Sequence, residues 1–357
     1  MTVPASLEYL SALTDDVGVI QHAIEDVPNR STGYCVDDVG RALLVVTAAS
    51  AYAPLEAEAL RLGRIYLAYL LDAQRPDGRL RNFLGYDRRW LDDVGSEDSL
   101  GRALWGLGYT IARAQKRTWR NVSERIFTRA LPAVAELTHL RSSAYAALGL
   151  CLAYPSLVPL QGQVREILLT LAERLLAAYA ATRTSHWHWF EGHMTYDNAR
   201  LCEALLRIGV LLKQDVFVEV GFEALHFYES AVIERGVFKP IGNGGWWRRH
   251  GERAEFDQQP LEAAGFIDAV LYAYTITGRD HYRGLAEVAY DWYFGRNVIG
   301  APLVVDGGCR DGFSADTVNR NMGAESTLAY LASAFAIAPY QRGRSSHVAP
   351  AILHDRP

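Results

Sequence analysis

The sequence predicts an all-α fold, a toroid of six helical hairpins, (α/α)6, and three observations predict it. One pattern recurs six times along the 357 residues. Helices that are apolar or small nearly all round alternate with amphipathic ones. Strand signals are few.

The recurring unit is a loop rich in polar and aromatic residues, then polar or acidic residues, then a small-residue-rich apolar helix. Its copies start at Tyr34 (YCVDDVGRALLVVTAAS), Gly95 (GSEDSLGRALWGLGYTIARA), Ser142 (the weaker SSAYAALGLCLAY), Thr195 (TYDNARLCEALLRIGVLL), Phe256 (FDQQPLEAAGFIDAVLYAYTITG) and Asn321 (NMGAESTLAYLASAFAIA). Between them lie helices starting near Leu55, Val164 and His281, whose apolar residues recur at three and four with charges opposite. Such helices cover a surface, whereas helices apolar all round are buried. An inner ring of six helices inside an outer ring of about six explains the alternation. It predicts one toroid over 1–340 and a partly disordered, Pro-rich, basic tail over 341–357. A plain α-solenoid or two bundles would not need polar residues opening nearly every inner helix. The segment VFKPIGNGGWW, from Val237, is the one place that reads as a short hairpin.

Bulk properties limit the partners. Lys and Arg total 36 against 41 Asp and Glu, a formal charge of −5, which argues against nucleic acid. No run of about 18 apolar residues predicts a membrane span. No basic segment followed by an apolar one opens the chain. The cysteines Cys35, Cys151, Cys202 and Cys309 are scattered, which fits reduced thiols in a cytoplasm better than zinc or disulfides. No phosphate-cradling glycine motif appears, so no nucleotide cofactor is expected.

If the inner helices run the same way, their N-termini converge at one mouth. That mouth collects Asp37, Asp38, Glu97, Asp98, Asp197, Asn198, Asp257, Gln258, Gln259 and Glu325. Helix capping explains any single one. A cap needs one residue, and here pairs recur. Two carboxyl groups facing each other suit glycosidic cleavage, one as proton donor and one as base or nucleophile. Asp37 or Asp38 with Glu97 or Asp98 is the leading pair, and Asp197 and Glu191 stand next. Tyr34, Trp187, Trp189, Tyr196, Trp246 and Trp247 would stack on sugar faces or plug the mouth. Arg41, Arg102 and Arg200 follow acids by three or four positions, placed to hold carboxylates or an anionic substrate group. His186, His188, Glu191 and His193 could ligate metal, but their spacing lacks the helical H-E-x-x-H logic, and no metal is expected. His188 could instead bind sugar, or act as base in an epimerase beside His193 and His250. The loop Gly307–Thr327 would reach over the mouth, offering Asp311, Asn319, Asn321 and Glu325.

The segments YCVDDVGRAL, TYDNARLCEAL, FDQQPLEAAG and GGCRDGFSADTVNRNMGAESTLAYL resemble a bacterial group of six-hairpin glycosidase-like proteins. Members occur alone or C-terminal to a glycosyltransferase, often near β-mannoside phosphorylase-type genes. The resemblance implies the (α/α)6 fold, a carbohydrate substrate and association with a glycosyltransferase. Met322 and Val39 stand where the group's pattern leads one to expect more polar residues. The paired aspartates are also similar, more distantly, to those of toroid mannanases and unsaturated-uronyl hydrolases. The reading is a glycoside hydrolase acting on a short oligosaccharide, with a mannoside among the candidates. A histidine-based sugar 2-epimerase, a non-catalytic glycan-binding module and, for a uronic acid substrate, a lyase are the alternatives.

Overall fold

The computed structural model describes residues 3–341. Its α-helices run, in order, α1 (Glu8–Leu13), α2 (Val36–Ala49), α3 (Glu56–Ala73), α4 (Glu97–Arg113), α5 (Arg117–Ala135), α6 (Leu140–Ala153), α7 (Gln161–Thr182), α8 (Ala199–Leu212), α9 (Asp215–Val232), α10 (Pro260–Thr277), α11 (Asp280–Asp291) and α12 (Ala324–Gln341). The even-numbered helices form the inner ring. Each packs on the next, and α12 returns to α2 and closes the circle. The odd-numbered helices lie outside, with α3, α5, α7 and α9 in sequence and α1 and α11 against α12. This is the (α/α)6 toroid. The tail expectation falls outside the described residues except at Gln341, which ends α12.

Residue type explains which helix goes where. In α10 every residue from Pro260 to Ile267 is buried, and the helix is enclosed on all sides. In α3 the buried positions Ala59, Leu62, Gly63, Tyr66, Leu67, Leu70 and Ala73 recur at three and four along one face, with Tyr69 buried beside them. Helix starts follow their chemistry too. The Ser96 hydroxyl accepts from the Ser99 amide at 3.1 Å and caps α4. Pro260 opens α10, where its missing N–H costs nothing. α6 begins two residues before the copy read at Ser142.

The hairpin expected from Val237 is not one unit. Val237–Phe238 folds back on Ile233–Glu234, while Trp247–Arg248 pairs with His193–Met194. The stretch between them turns, because Gly245 and Trp246 both have positive φ. Its two ends therefore belong to different ladders, and this joins the loop before α8 to the loop before α10.

The inner ring closes tightly on one side. A Cβ on Gly106 of α4 would collide with the Gly40 carbonyl of α2. One on Gly108 would strike Gly149 of α6, and one on Gly101 would lie 2.7 Å from the Ser142 carbonyl. So α2, α4 and α6 touch backbone to backbone, which only glycine permits. Replacing Gly106 with Val forces these helices apart. Urea unfolding should show Gly106→Val destabilised by about 3 kcal/mol or more. Gly162, exposed in the first turn of α7 with nothing near its missing Cβ, is the contrast: Gly162→Ala should stabilise by about 0.5–1 kcal/mol. A neutral Gly106→Val would remove the close-contact account of the ring.

Candidate active site

The N-terminal ends of α2, α4, α10 and α12 meet the loop before α8 around one cavity of about 430 Å³. That size suits a small organic ligand. Its walls carry three carboxylates, Asp37, Asp98 and Glu325, together with Arg102, Tyr196 and Gln259. Asn82, Ser96, Asn243 and Leu261 complete the polar and aliphatic lining, and Phe83 and Trp246 supply aromatic faces. Each carboxylate sits in or beside a helix's first turn, where the N-terminal partial positive charge favours an anion.

The three carboxylates have different partners. Asp37 accepts from Arg102 Nη1 at 2.9 Å. Glu325 accepts from Arg41 Nη1 at 2.8 Å. Burial pushes the Glu325 carboxyl up, but the Arg41 and Arg102 guanidiniums outweigh it and hold it below its ordinary value. Asp98 accepts no hydrogen bond from a guanidinium among the described residues, although Arg102 lies within electrostatic reach of it. It accepts from the Tyr196 hydroxyl at 2.6 Å and from Ser142 Oγ. Hydroxyls can accept as well as donate, whereas a guanidinium only donates. The hydrogen-bond partners of Asp98 therefore survive its protonation, and the Asp37 oxygen facing Arg102 must remain an acceptor.

Beneath this floor the polar groups are consumed internally. Arg141 lies over the Tyr196 ring at 4.8 Å, donates to the Tyr196 carbonyl and pairs with Glu191 at 2.7 Å. Arg102 also donates to the Tyr145 hydroxyl at 3.0 Å, which donates to Asp197 at 2.7 Å. Asp197 takes a positive φ of 47°, uncommon for a residue with a side chain. Its own amide donates to buried Glu262, which also accepts from Tyr228 at 2.8 Å and Asn198 at 3.1 Å. This mesh fixes the turn that presents Tyr196 to Asp98.

Of the residues singled out in the sequence, Asp37, Asp98, Arg102, Tyr196, Trp246, Gln259 and Glu325 come together at the cavity. The others do not, each for a visible reason. Asp38 is buried behind Asp37, bound to Arg41 at 2.6 Å and to Cys35 Sγ at 3.1 Å. Arg41 itself is spent on Asp38 and Glu325. Glu97 turns away and accepts from the Thr138 and His139 amides, both at 2.8 Å. Burial raises its carboxyl, but these donors prevail and hold it at about 2, which unfits it as a proton donor. Asp197, Asn198 and Glu191 belong to the mesh below the floor. Tyr34 is buried with its hydroxyl on Asp15 at 2.6 Å. Trp187 and Trp189 are core residues, and Trp247 packs on Trp187 and Phe227, so none of the three offers a face to this cavity. His188 pairs with Glu223 of α9 at 2.6 Å. Gln258 is buried against Trp292, and Asp311 accepts from the Gly323 amide at 3.0 Å. His193 and His250 line no part of the cavity either.

Sequence reading missed Asn82, Phe83, Ser96, Asn243 and Leu261 at the wall, and Glu262 beneath it. Phe83 is 44% exposed on a two-residue strand paired with Tyr34–Cys35. An exposed aromatic beside a polar run was its one signal. Glu262 lay inside FDQQPLEAAG and looked like a first-turn acid.

No protein-family model matches the chain, and no curated protein does. Solved structures do. A cellobiose 2-epimerase from Bacillus thermoamylovorans superposes with a TM-score of 0.71 at 12% identity, covering 95% of this chain and 96% of that one. A GH76 α-mannanase from Bacteroides thetaiotaomicron gives 0.65 at 11%, covering 95% of each. A C. cellulolyticum cellulase, solved with cellobiose, gives 0.61 at 8%, covering 91% and 88%. These likenesses establish the six-hairpin glycosidase-like (α/α)6 fold.

Two outcomes test this geometry. Burial, reinforced by Asp197, pushes the Glu262 carboxyl up to about 7 from its ordinary 4.5. Between those values the folded chain keeps a proton that the unfolded chain has released. Stability is thus fully present below about 4.5 and is lost as pH rises towards 7. The melting temperature of Glu262→Gln should fall less than wild type across that window; parallel curves would refute the assignment. Trp246, 39% exposed, holds a φ of 56° that glycine adopts freely. Trp246→Gly should therefore be about 1 kcal/mol more stable than Trp246→Ala by urea unfolding. Equal stabilities would mean the backbone there is unstrained.

Proposed function

We propose that this chain is a glycoside hydrolase acting on a short oligosaccharide, with Asp98 as general acid and Asp37 as the second carboxylate. The observation that carries the proposal is the contrast between these two groups on one cavity wall. Asp98 is bound only by hydroxyls, and Asp37 faces a guanidinium. Cleavage requires one carboxyl group able to give a proton to the leaving oxygen and one anion near the anomeric carbon. The surroundings support that division. Tyr196 and Ser142 orient the Asp98 carboxyl, and either hydroxyl can donate to it once its proton has gone. Asp37, anchored by Arg102, would activate water or stabilise the positive charge that develops on the sugar ring. Glu325, held ionised by Arg41 and Arg102, adds to that stabilisation. The solved structures of the same fold, which act on cellobiose, mannan and cellulose by name, favour a carbohydrate ligand for this cavity. Epimerisation by imidazole is the less favoured reading, because no histidine is among the described residues that line the cavity.

The test is a turnover screen against gluco- and manno-configured disaccharides, with Asp98→Asn and Asp37→Asn alongside. Each variant should lose about 10²–10⁴-fold in kcat/KM. Asp98→Asn should recover most of its rate on aryl glycosides whose leaving group needs no proton, and Asp37→Asn should not. Equal loss on both substrate types would remove Asp98 as the acid. Conversion of a free reducing sugar without bond cleavage would replace hydrolysis by epimerisation.

A further inference from the structure

Charge at the cavity carries a statement about the ligand. Among the described residues lining it, three are carboxylates and Arg102 is the one cation. Recognition of a uronate or a sugar phosphate calls for a guanidinium or ammonium with free N–H groups turned to the ligand. Arg102 is engaged through both terminal nitrogens, and its Nε, which has no partner, is buried rather than turned to the cavity. One terminal nitrogen is on Asp37 at 2.9 Å and the other on the Tyr145 hydroxyl at 3.0 Å, and its face lies on the Tyr145 ring at 4.7 Å. The guanidiniums behind it are engaged through their terminal nitrogens too, and the unpartnered Nε of Arg41 is buried. Arg41 is divided between Asp38 and Glu325, and Arg141 between Glu191, Asn198 and the Tyr196 carbonyl. All three are over nine-tenths buried.

The converging helix starts are the rival source of positive potential. Each contributes about half an elementary charge. The first turns of α2, α4 and α12 already hold Asp37, Asp98 and Glu325, each a full charge when ionised. Each of these helix ends is answered by a carboxylate of its own, so its anion preference is satisfied from within. What remains for a ligand is uncharged: the amides of Asn82, Asn243 and Gln259 for hydroxyls, and the rings of Trp246 and Phe83 for C–H faces.

We infer that the cavity selects uncharged sugars and turns away uronates and sugar phosphates. The inference rests on the carbohydrate reading of the site and narrows it. It also separates this chain from uronic acid chemistry, whether hydrolytic or eliminative, despite the distant resemblance of its paired aspartates to those of uronyl hydrolases.

The experiment is isothermal titration of the full chain with non-cleavable thio-linked gluco- and manno-configured disaccharides, each alongside its counterpart oxidised at C6 to the uronate and its 6-phosphate. The neutral ligand should bind at least about tenfold more tightly than either anion. The gap should narrow as salt is raised, because the discrimination is electrostatic. It should also narrow in Glu325→Gln, which removes one wall charge and releases an Arg41 N–H. Uronate or phosphate binding as tight as the neutral sugar would overturn the inference and leave the carbohydrate reading standing. Binding of no sugar in any charge state would overturn both. A gap indifferent to salt and unchanged in Glu325→Gln would overturn the electrostatic origin of the selection.

Discussion

The backbone contact of α4 with its neighbours is the constraint on which the site depends. Gly101, Gly106 and Gly108 let α4 seat between α2 and α6 without intervening side chains. Helices at that spacing cannot slide or roll without collision, because packed interiors deform little. Asp37 and Asp98 stand in the first turns of two of these helices. Their relative position is set by glycine packing along the seam, more than by anything at the mouth itself. Ser142, in the first turns of α6, orients Asp98 across the second contact of the same seam.

The far side of the ring is held by a different means. Arg200 lies 4.2 Å over Trp105 and pairs with Glu203 and Asp268, both at 2.7 Å, and Glu203 also pairs with Arg207 at 2.8 Å. Burying so many charges is expensive unless every one is matched. Here carboxylates from α8 and α10 answer the guanidiniums, so these helices are registered by ion pairs rather than by glycine contact. Asp197, at the junction of this network and the cavity floor, carries the unfavourable φ. Backbone strain of this kind persists only where its surroundings over-determine it. Tyr145, Glu262 and Arg200 do so.

Much of the fold was legible because burial and periodicity are local properties of a helix. The six inner helices begin within about four residues of where the recurring pattern placed them, and α3, α7 and α11 lie where their amphipathic faces appeared. The site was legible only in part. Pairs such as Asp37–Asp38 and Glu97–Asp98 declare that a carboxylate is present, but adjacent residues on a helix point about 100° apart. Which member faces the axis depends on helix rotation, and rotation is decided by contacts such as Gly106 on Gly40 that belong to two distant segments. The tryptophans misled for a related reason. Trp187 and Trp189 look like a binding platform in a polar loop, but that loop folds inward and fills the space behind α9 and the 247 strand. Phe83 and Asn82 went unread because their position comes from pairing with Tyr34–Cys35, which no local pattern announces.

The ring is circular and the chain that makes it is linear. Glu25, Gln21 and Tyr9 bond to Asn321, Ala324 and Met322, and Arg41 in α2 reaches Glu325 in α12. On a ribosome, the flank of α2 that meets α12 is therefore made early and covered last. Until residues beyond 320 emerge, the growing chain exposes an open edge of its inner ring, and the entropy of loop closure over nearly the whole sequence is then lost in one step. Glu325 joins Asp37 and Asp98 only at that final step. The same helix that seals the apolar edge also brings the last charged wall of the cavity.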